Sequence, residues 1–256
     1  HVRVVFACEP RAEEQVRRDI VQELRLADPV VLVGPCDRPN LTYRVHLRRD
    51  LVEQLLEVVR RHSGEAGIVY CISRRETEEI VAALRPHGVE SGAYHAGLSG
   101  EVRRRVQDAF QAEEIDVVCA TVAFGMGIDR TDVRFVAHAA LPKGIEQYSQ
   151  ETGRAGRDGM AAECVLFYSG TDFYTWKSLM ERGHHEAEGG ASSGRDVLDA
   201  SIERLSQMMA YTTRFVCRHR QLAQHFGQHY EFPRAQDGDG EEPGCGACDV
   251  CLGELT

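Results

Sequence analysis

In the second half of the chain, the ten residues Gln150-Glu-Thr-Gly-Arg154-Ala-Gly-Arg157-Asp-Gly159 set two arginines three positions apart among glycines at 153, 156 and 159. Glycine lets a backbone turn freely and come close to a ligand. Arginine keeps its charge at any working pH and offers phosphate oxygens a planar fork of donors. The stretch reads either as a loop that sets guanidinium groups against phosphate or as a surface turn with two solvated arginines. Gln150, Arg154 and Arg157 are its candidates for chemistry.

A second group is built from sulfur. Of nine cysteines, Cys8, Cys36, Cys71, Cys119 and Cys164 stand singly, several inside apolar runs, as small buried hydrophobes do. Cys245, Cys248 and Cys251 form a CxxCxxC run, and Cys217 lies upstream. Three cysteines this close cannot pair with one another without strain, but they can turn around one ion. With Cys217 they offer four thiolates, the set for tetrahedral Zn²⁺ in a closed structural site. An iron–sulfur cluster is the alternative, although no proline follows Cys251. The odd cysteine count and this run fit a reducing compartment better than a disulfide framework. That points to cytoplasm (nucleoid-associated) in a bacterium, or otherwise to a nucleus.

Three more stretches end apolar runs with polar groups. In Tyr70-Cys-Ile-Ser-Arg74, Ser73 and Arg74 open a helix, whose free N–H groups suit an anion. Ser73 also reads as a plain cap. In Tyr94-His-Ala-Gly-Leu98, His95 is either a phosphate or sugar contact or a hydrogen-bonded loop histidine. In Ala120-Thr-Val-Ala-Phe-Gly-Met-Gly-Ile-Asp129, Thr121 is placed to hold a strand phosphate. Gly127 and Asp129 are placed for a nucleotide, with Asp129 accepting from a ribose hydroxyl. An ordinary strand-to-helix loop is the competing reading.

The elements that must position these groups alternate. Leu41–Leu47, Ile68–Ile72, the run to Tyr94, Ile115–Ala120, Val133–Ala137 and Ala162–Phe167 read as strands. Between them Asp50–Arg61, the segment after Ser73, the segment from Ser99 and Lys143–Glu151 read as helices, with capping boxes at Asp50/Glu53 and Ser73/Glu76. Such alternation implies an α/β fold with a doubly wound parallel sheet, whose ligand loops lie at the carboxyl ends of the strands. Before it, His1–Phe6 and Pro29–Val33 read as short strands flanking a helix at Glu13–Leu26. After Thr171 helices are expected at Asp172–Arg182, Arg195–Met209 and Thr212–Phe226, the last carrying Cys217. Residues 184–194 and the acidic 231–244 are expected to be mobile. Three units result: 1–40, 41–170 and 171–256.

The hydrophobic share, 43%, suffices for a packed core. No apolar run approaches the ~20 residues that span a bilayer, and no signal-peptide pattern opens the chain. A formal net charge of −10 disfavours nucleic acid taken by itself, but clustering of the basic residues matters more than the total.

Read in order, IVYCISR (68–74), YHAGL (94–98), ATVAFGMGID (120–129), VRFVAHAALPKGIEQY (133–148) and QETGRAGRDG (150–159) resemble the later helicase motifs of RecQ-type DNA helicases. The Cys217…Cys251 pattern is similar to the zinc-binding subdomain that follows in that family. The resemblance implies ATP-driven 3′-to-5′ unwinding of duplex DNA by two RecA-like lobes that clamp ATP and Mg²⁺ between them. It makes this chain the second, RecA-like lobe and a small helical zinc-binding subdomain. Arg157 matches the arginine finger, Arg154 a phosphate contact or brace, and Gln150 opens the same motif. Ser73, Arg74, His95 and Thr121 match contacts to the DNA backbone.

Departures qualify this. The chain contains neither GxxxxGK[ST] nor DExH, and Val4–Pro10 stands where the family usually has Thr-Ala-Thr before the linker. The chain is therefore expected to be a C-terminal half, inactive as an ATPase until a first lobe is supplied. The stretch between Cys217 and Cys245 is longer and more acidic than the family implies. Two other functions stay open: a non-enzymatic, zinc-stabilised module that binds nucleic acid or a partner, and half of a DEAD-box-like RNA helicase.

Overall fold

The central strands of the sheet are apolar runs because both of its faces are covered there. The computed structural model describes residues 14–26, 29–31, 34–121, 124, 130–187, 193–233 and 244–255. Six strands, β1 (Leu41–Leu47), β2 (Ala66–Tyr70), β3 (Ser91–Tyr94), β4 (Val117–Ala120), β5 (Val133–His138) and β6 (Ala162–Tyr168), form one parallel sheet in the order β1-β6-β5-β2-β4-β3. Every residue of β2 is buried, as expected for a central parallel strand.

Two helices, α2 (Leu51–Arg61) and α3 (Arg74–Leu84), cover one face through Leu55, Leu56, Val58, Ile80, Val81 and Leu84. The other face receives Phe110 of α4 (Gly100–Gln111) and Ile145 and Tyr148 of α5 (Ile145–Thr152). The same cluster continues into Trp176 of α6 (Gly170–Ala187), Leu205, Met208 and Tyr211 of α7 (Ser193–Thr213) and Leu222 of α8 (Arg218–His225). The C-terminal helices thus share one core with the sheet. An N-terminal helix, α1 (Glu14–Glu23), precedes them, and Arg25 follows it at φ 48°.

Each expected capping box forms only in part. Asp50 accepts from the Glu53 N–H at 3.2 Å, while the Glu53 carboxylate turns to Arg60 at 2.7 Å. Ser73 accepts from the Glu76 N–H at 3.1 Å, and Glu76 reaches back one residue further than expected, to the Ile72 N–H at 2.9 Å.

Several expectations need correction. Pro29–Val31 is not strand, and the expected strand at His1–Phe6 lies outside the described residues. Residues 184–187 continue α6, and α7 begins at Ser193. The expected helix Thr212–Phe226 is broken: α7 ends at Thr213 and α8 begins at Arg218. Cys217 therefore caps a helix rather than riding on one, with φ −43° and ψ 127°. The cause is Arg218, whose Nη1 donates to the Tyr211 carbonyl and, at 3.2 Å, to the Arg214 carbonyl. It satisfies the open end of α7 and turns the chain toward the sulfur cluster. Most of the acidic loop falls at 234–243, outside the described residues.

Candidate metal centre and arginine loop

The Sγ atoms of Cys217, Cys245, Cys248 and Cys251 all lie within 4.8 Å of one another. Tetrahedral zinc with ~2.3 Å bonds needs sulfurs about 3.8 Å apart, so the cluster is near the size that ion requires. The backbone already solvates the sulfurs: the Ala247 N–H points to Cys245 Sγ at 3.4 Å and the Cys251 N–H to Cys248 Sγ at 3.5 Å. Left-handed Gly246 (φ 66°) and Gly253 (φ 68°) make the turns. Hydrogen bonds among the thiols couple the cluster without a metal: they pull the Cys248 thiol far below the ordinary range and push the Cys245 thiol far above it, whereas an ion would take all four as thiolates. These four residues would hold a zinc ion as a closed structural site.

The centre is built into the sheet. The Tyr43 N–H donates to the Ala247 carbonyl at 3.1 Å, and the Asp249 N–H to the Tyr43 carbonyl at 2.9 Å. Residues 247–249 thus extend the sheet beyond its edge strand β1, with a parallel bridge between Tyr43 and Cys248. Below it, Arg218 and Asp249 form a buried ion pair, and Asp249 Oδ2 also accepts from the Val45 N–H at 3.0 Å. The ring of His219 meets Asp37 through Nδ1 at 2.6 Å, and the Leu41 and Ala247 carbonyls through Nε2 at 3.1 and 3.2 Å. None of these four side chains stood out in the sequence. Arg218 and Asp249 each directly follow a ligand cysteine, the one signal available.

The arginine loop lies between α5 and β6. Its Gly156 N–H donates to the Val133 carbonyl at 2.8 Å, and its Asp158 N–H to the Thr131 carbonyl at 3.3 Å. An Arg134–Asp158 ion pair of 2.5 Å holds the Asp158 carboxyl below its usual range. Two turns need glycine: Gly156 (φ 54°) and Gly159 (φ 83°). A Cβ on Gly156 would also meet Asn40 Nδ2 at 2.6 Å and the Met160 carbonyl at 2.7 Å. Arg157 is exposed at the tip, and Gln150 is exposed on α5. Arg154 is half-buried beside Tyr70, whose hydroxyl donates to the Phe124 carbonyl at 3.2 Å.

The DNA candidates sit elsewhere, at the carboxyl ends of the neighbouring strands β2, β4 and β3. Ser73 and Arg74 are exposed, and Arg74 lies across Gly97, where a Cβ would stand 3.1 Å from its Cδ. Thr121 is half-buried, its N–H bonded to the Tyr94 carbonyl at 3.2 Å. His95 is 3% exposed; its Nε2 meets Glu78 at 3.1 Å and its Nδ1 accepts from the Gly97 N–H at 3.2 Å. In this arrangement the ring shapes the loop and does not face outward. Gly127 and Asp129 lie outside the described residues.

Residues 49–159 match the family described as the helicase conserved C-terminal domain, and residues 170–252 match RecQ zinc-binding. This chain is a RecQ-type helicase C-terminal region. The "ATP-dependent DNA helicase RecQ" of Pasteurella multocida is 40% identical to the RecQ-type region over 250 residues, 97% of this chain and 36% of that protein. The protein of the same name in Bacillus subtilis is 35% identical, over 97% of this chain and 39% of its own length. The "ATP-dependent DNA helicase hus2/rqh1" of Schizosaccharomyces pombe is 37% identical, over 96% of this chain and 17% of that protein. The RecQ-type region thus spans less than two fifths of each. The fold is also that of a crystallised DEAD box protein from Methanococcus jannaschii, with TM-score 0.50 and 24% identity over 64% of this chain and 46% of the other.

Proposed function

We propose that this chain is the second motor lobe of an ATP-driven 3′-to-5′ DNA helicase and that Arg157 is its arginine finger. The observation that carries the reading is the arginine loop. Its backbone is bonded to β5 and to residues before β1, while Arg157 is exposed at its tip. A guanidinium held so can meet a phosphoryl group presented by a facing lobe and stabilise the charge that develops during transfer. Arg154, nearer the sheet, braces the loop, and Gln150 lines its approach. The first lobe would supply the phosphate loop and the carboxylates for Mg²⁺. Ser73, Arg74 and Thr121 would follow the DNA backbone at the strand ends, with His95 shaping their loop. The metal centre holds the C-terminal helices to the sheet.

The test supplies the first lobe, in cis or in trans, and measures ATP hydrolysis with DNA and with RNA. DNA-stimulated hydrolysis that drops about 10³-fold or more in Arg157→Ala, with DNA affinity kept, is expected. Full activity in Arg157→Ala overturns the finger. Stimulation by RNA and not DNA overturns the DNA reading.

A further inference from the structure

Four residues ahead of β1, Asp37 to Asn40, touch both the metal centre and the arginine loop. Asp37 holds His219, which bonds the Ala247 carbonyl between two ligand cysteines. Arg38 and Asn40 turn the other way. Arg38 Nη2 donates to the Ala155 carbonyl at 3.2 Å and to the Gly156 carbonyl at 2.6 Å. Asn40 Nδ2 donates to the same Gly156 carbonyl at 3.0 Å and to the Met160 carbonyl at 2.8 Å. The two side chains also hold each other, Arg38 Nε to Asn40 Oδ1 at 3.3 Å. The Ala162 N–H closes the contact on the Asn40 carbonyl at 3.0 Å.

The Gly156 carbonyl belongs to the planar peptide unit that joins Gly156 to Arg157. Fixing that oxygen fixes the plane, and with it the N and Cα from which the Arg157 side chain leaves. Three donors converge on that oxygen: the Gly159 N–H at 3.0 Å, which closes the turn, and the two side chains, of which Arg38 is charged and makes the stronger bond. The clasp acts at a left-handed glycine, where the backbone has most freedom to turn.

We propose that Arg38 and Asn40 are positioning residues for Arg157, clasping the one peptide plane that aims it. This rests on the reading of Arg157 as a finger, but the clasp has a readout of its own. Asn40→Asp is nearly isosteric and replaces the donor by an acceptor facing two carbonyls. Arg38→Ala removes the charged arm, and Arg38→Lys retains one donor.

In this chain, hydrogen exchange at the amides of residues 156–160 is expected to quicken at least about tenfold in Asn40→Asp and Arg38→Ala. Exchange in β2 and the zinc content should stay as they are. Unchanged exchange at 156–160 overturns the clasp. With the first lobe supplied, both variants are expected to lower kcat for ATP roughly 10- to 100-fold with KM within about threefold, and Arg38→Lys to recover part of it. Quickened exchange with kcat unchanged overturns the positioning role. Should Arg157→Ala itself leave hydrolysis intact while the amides respond, the finger reading fails and the clasp stands.

Discussion

Asp249 takes two hydrogen bonds from the Arg218 guanidinium, 2.8 Å from Nε and 3.0 Å from Nη2, where the two side chains are 1% and 2% exposed. The pair lies beneath the cysteine centre and joins α7, α8 and β1. Arg218 also carries the open carbonyls of α7, and Asp249 the Val45 N–H. Removing one partner strands the other charge in the core. Arg218→Ala is expected to cost about 3–5 kcal/mol. Urea unfolding at neutral pH reads it, and a loss below about 1 kcal/mol would mean that the pair is not the buried joint described.

The metal centre should be measurable as one zinc per chain. Because Ala247 and Asp249 bond the edge strand β1, its loss should be felt beyond the cysteines. A strong chelator is expected to release the zinc, make four more thiols reactive and lower the thermal unfolding transition. Iron with visible absorbance in place of zinc would contradict the site.

Acid should loosen the outer side of the sheet. Burial works against the Glu163 carboxylate, but hydrogen bonds from His62 and Arg61 and the charges of Arg61 and Arg44 outweigh it and hold the group at about 2, against an ordinary 4.5. A folded pKa below the unfolded one means stability present above about pH 4.5 and lost as pH falls toward 2. The difference corresponds to on the order of 3 kcal/mol. Glu163→Gln is expected to be less stable than the parent at pH 7 and to show a flatter fall between pH 5 and 3. Parallel curves for the two proteins in urea titrations at those pH values would refute the assignment.

At the centre of the sheet, Gly67 leaves room for Phe135. A Cβ there would lie 1.9 to 2.4 Å from three carbons of that ring. Gly67→Ala is expected to cost roughly 1–3 kcal/mol, with part regained by Phe135→Leu in the double variant. Additive losses in denaturant unfolding would show that the two positions do not share the space.

Much of the fold was legible because its signals are local. The strands at 133–137 and 162–167 are mostly apolar and the one at 41–47 alternates apolar with polar residues, and the ends of all three agree with the structure within a residue. Asp50 and Ser73 cap the helices they were expected to cap. Errors arose where a distant group overrode a local pattern. The helical spacing from Thr212 to Phe226 gave no hint of a break, because the break is made by Arg218 reaching back to α7 while paired with Asp249, 31 residues away. Residue type alone leaves His95 open between a phosphate or sugar contact and a hydrogen-bonded loop histidine, and its bonds to Glu78 and the Gly97 N–H agree with the second.

From residue types and spacing came the α/β alternation, the four-thiolate set and the paired arginines on a glycine loop, since periodicity and ligand chemistry are carried by near neighbours. The tertiary structure decided the strand order β1-β6-β5-β2-β4-β3 and the placing of the cysteine centre against β1. It also decided that Arg38 and Asn40 hold the Gly156 carbonyl across 118 and 116 residues. Those pairings depend on which surfaces meet when the apolar faces are buried together, and no local spacing encodes that.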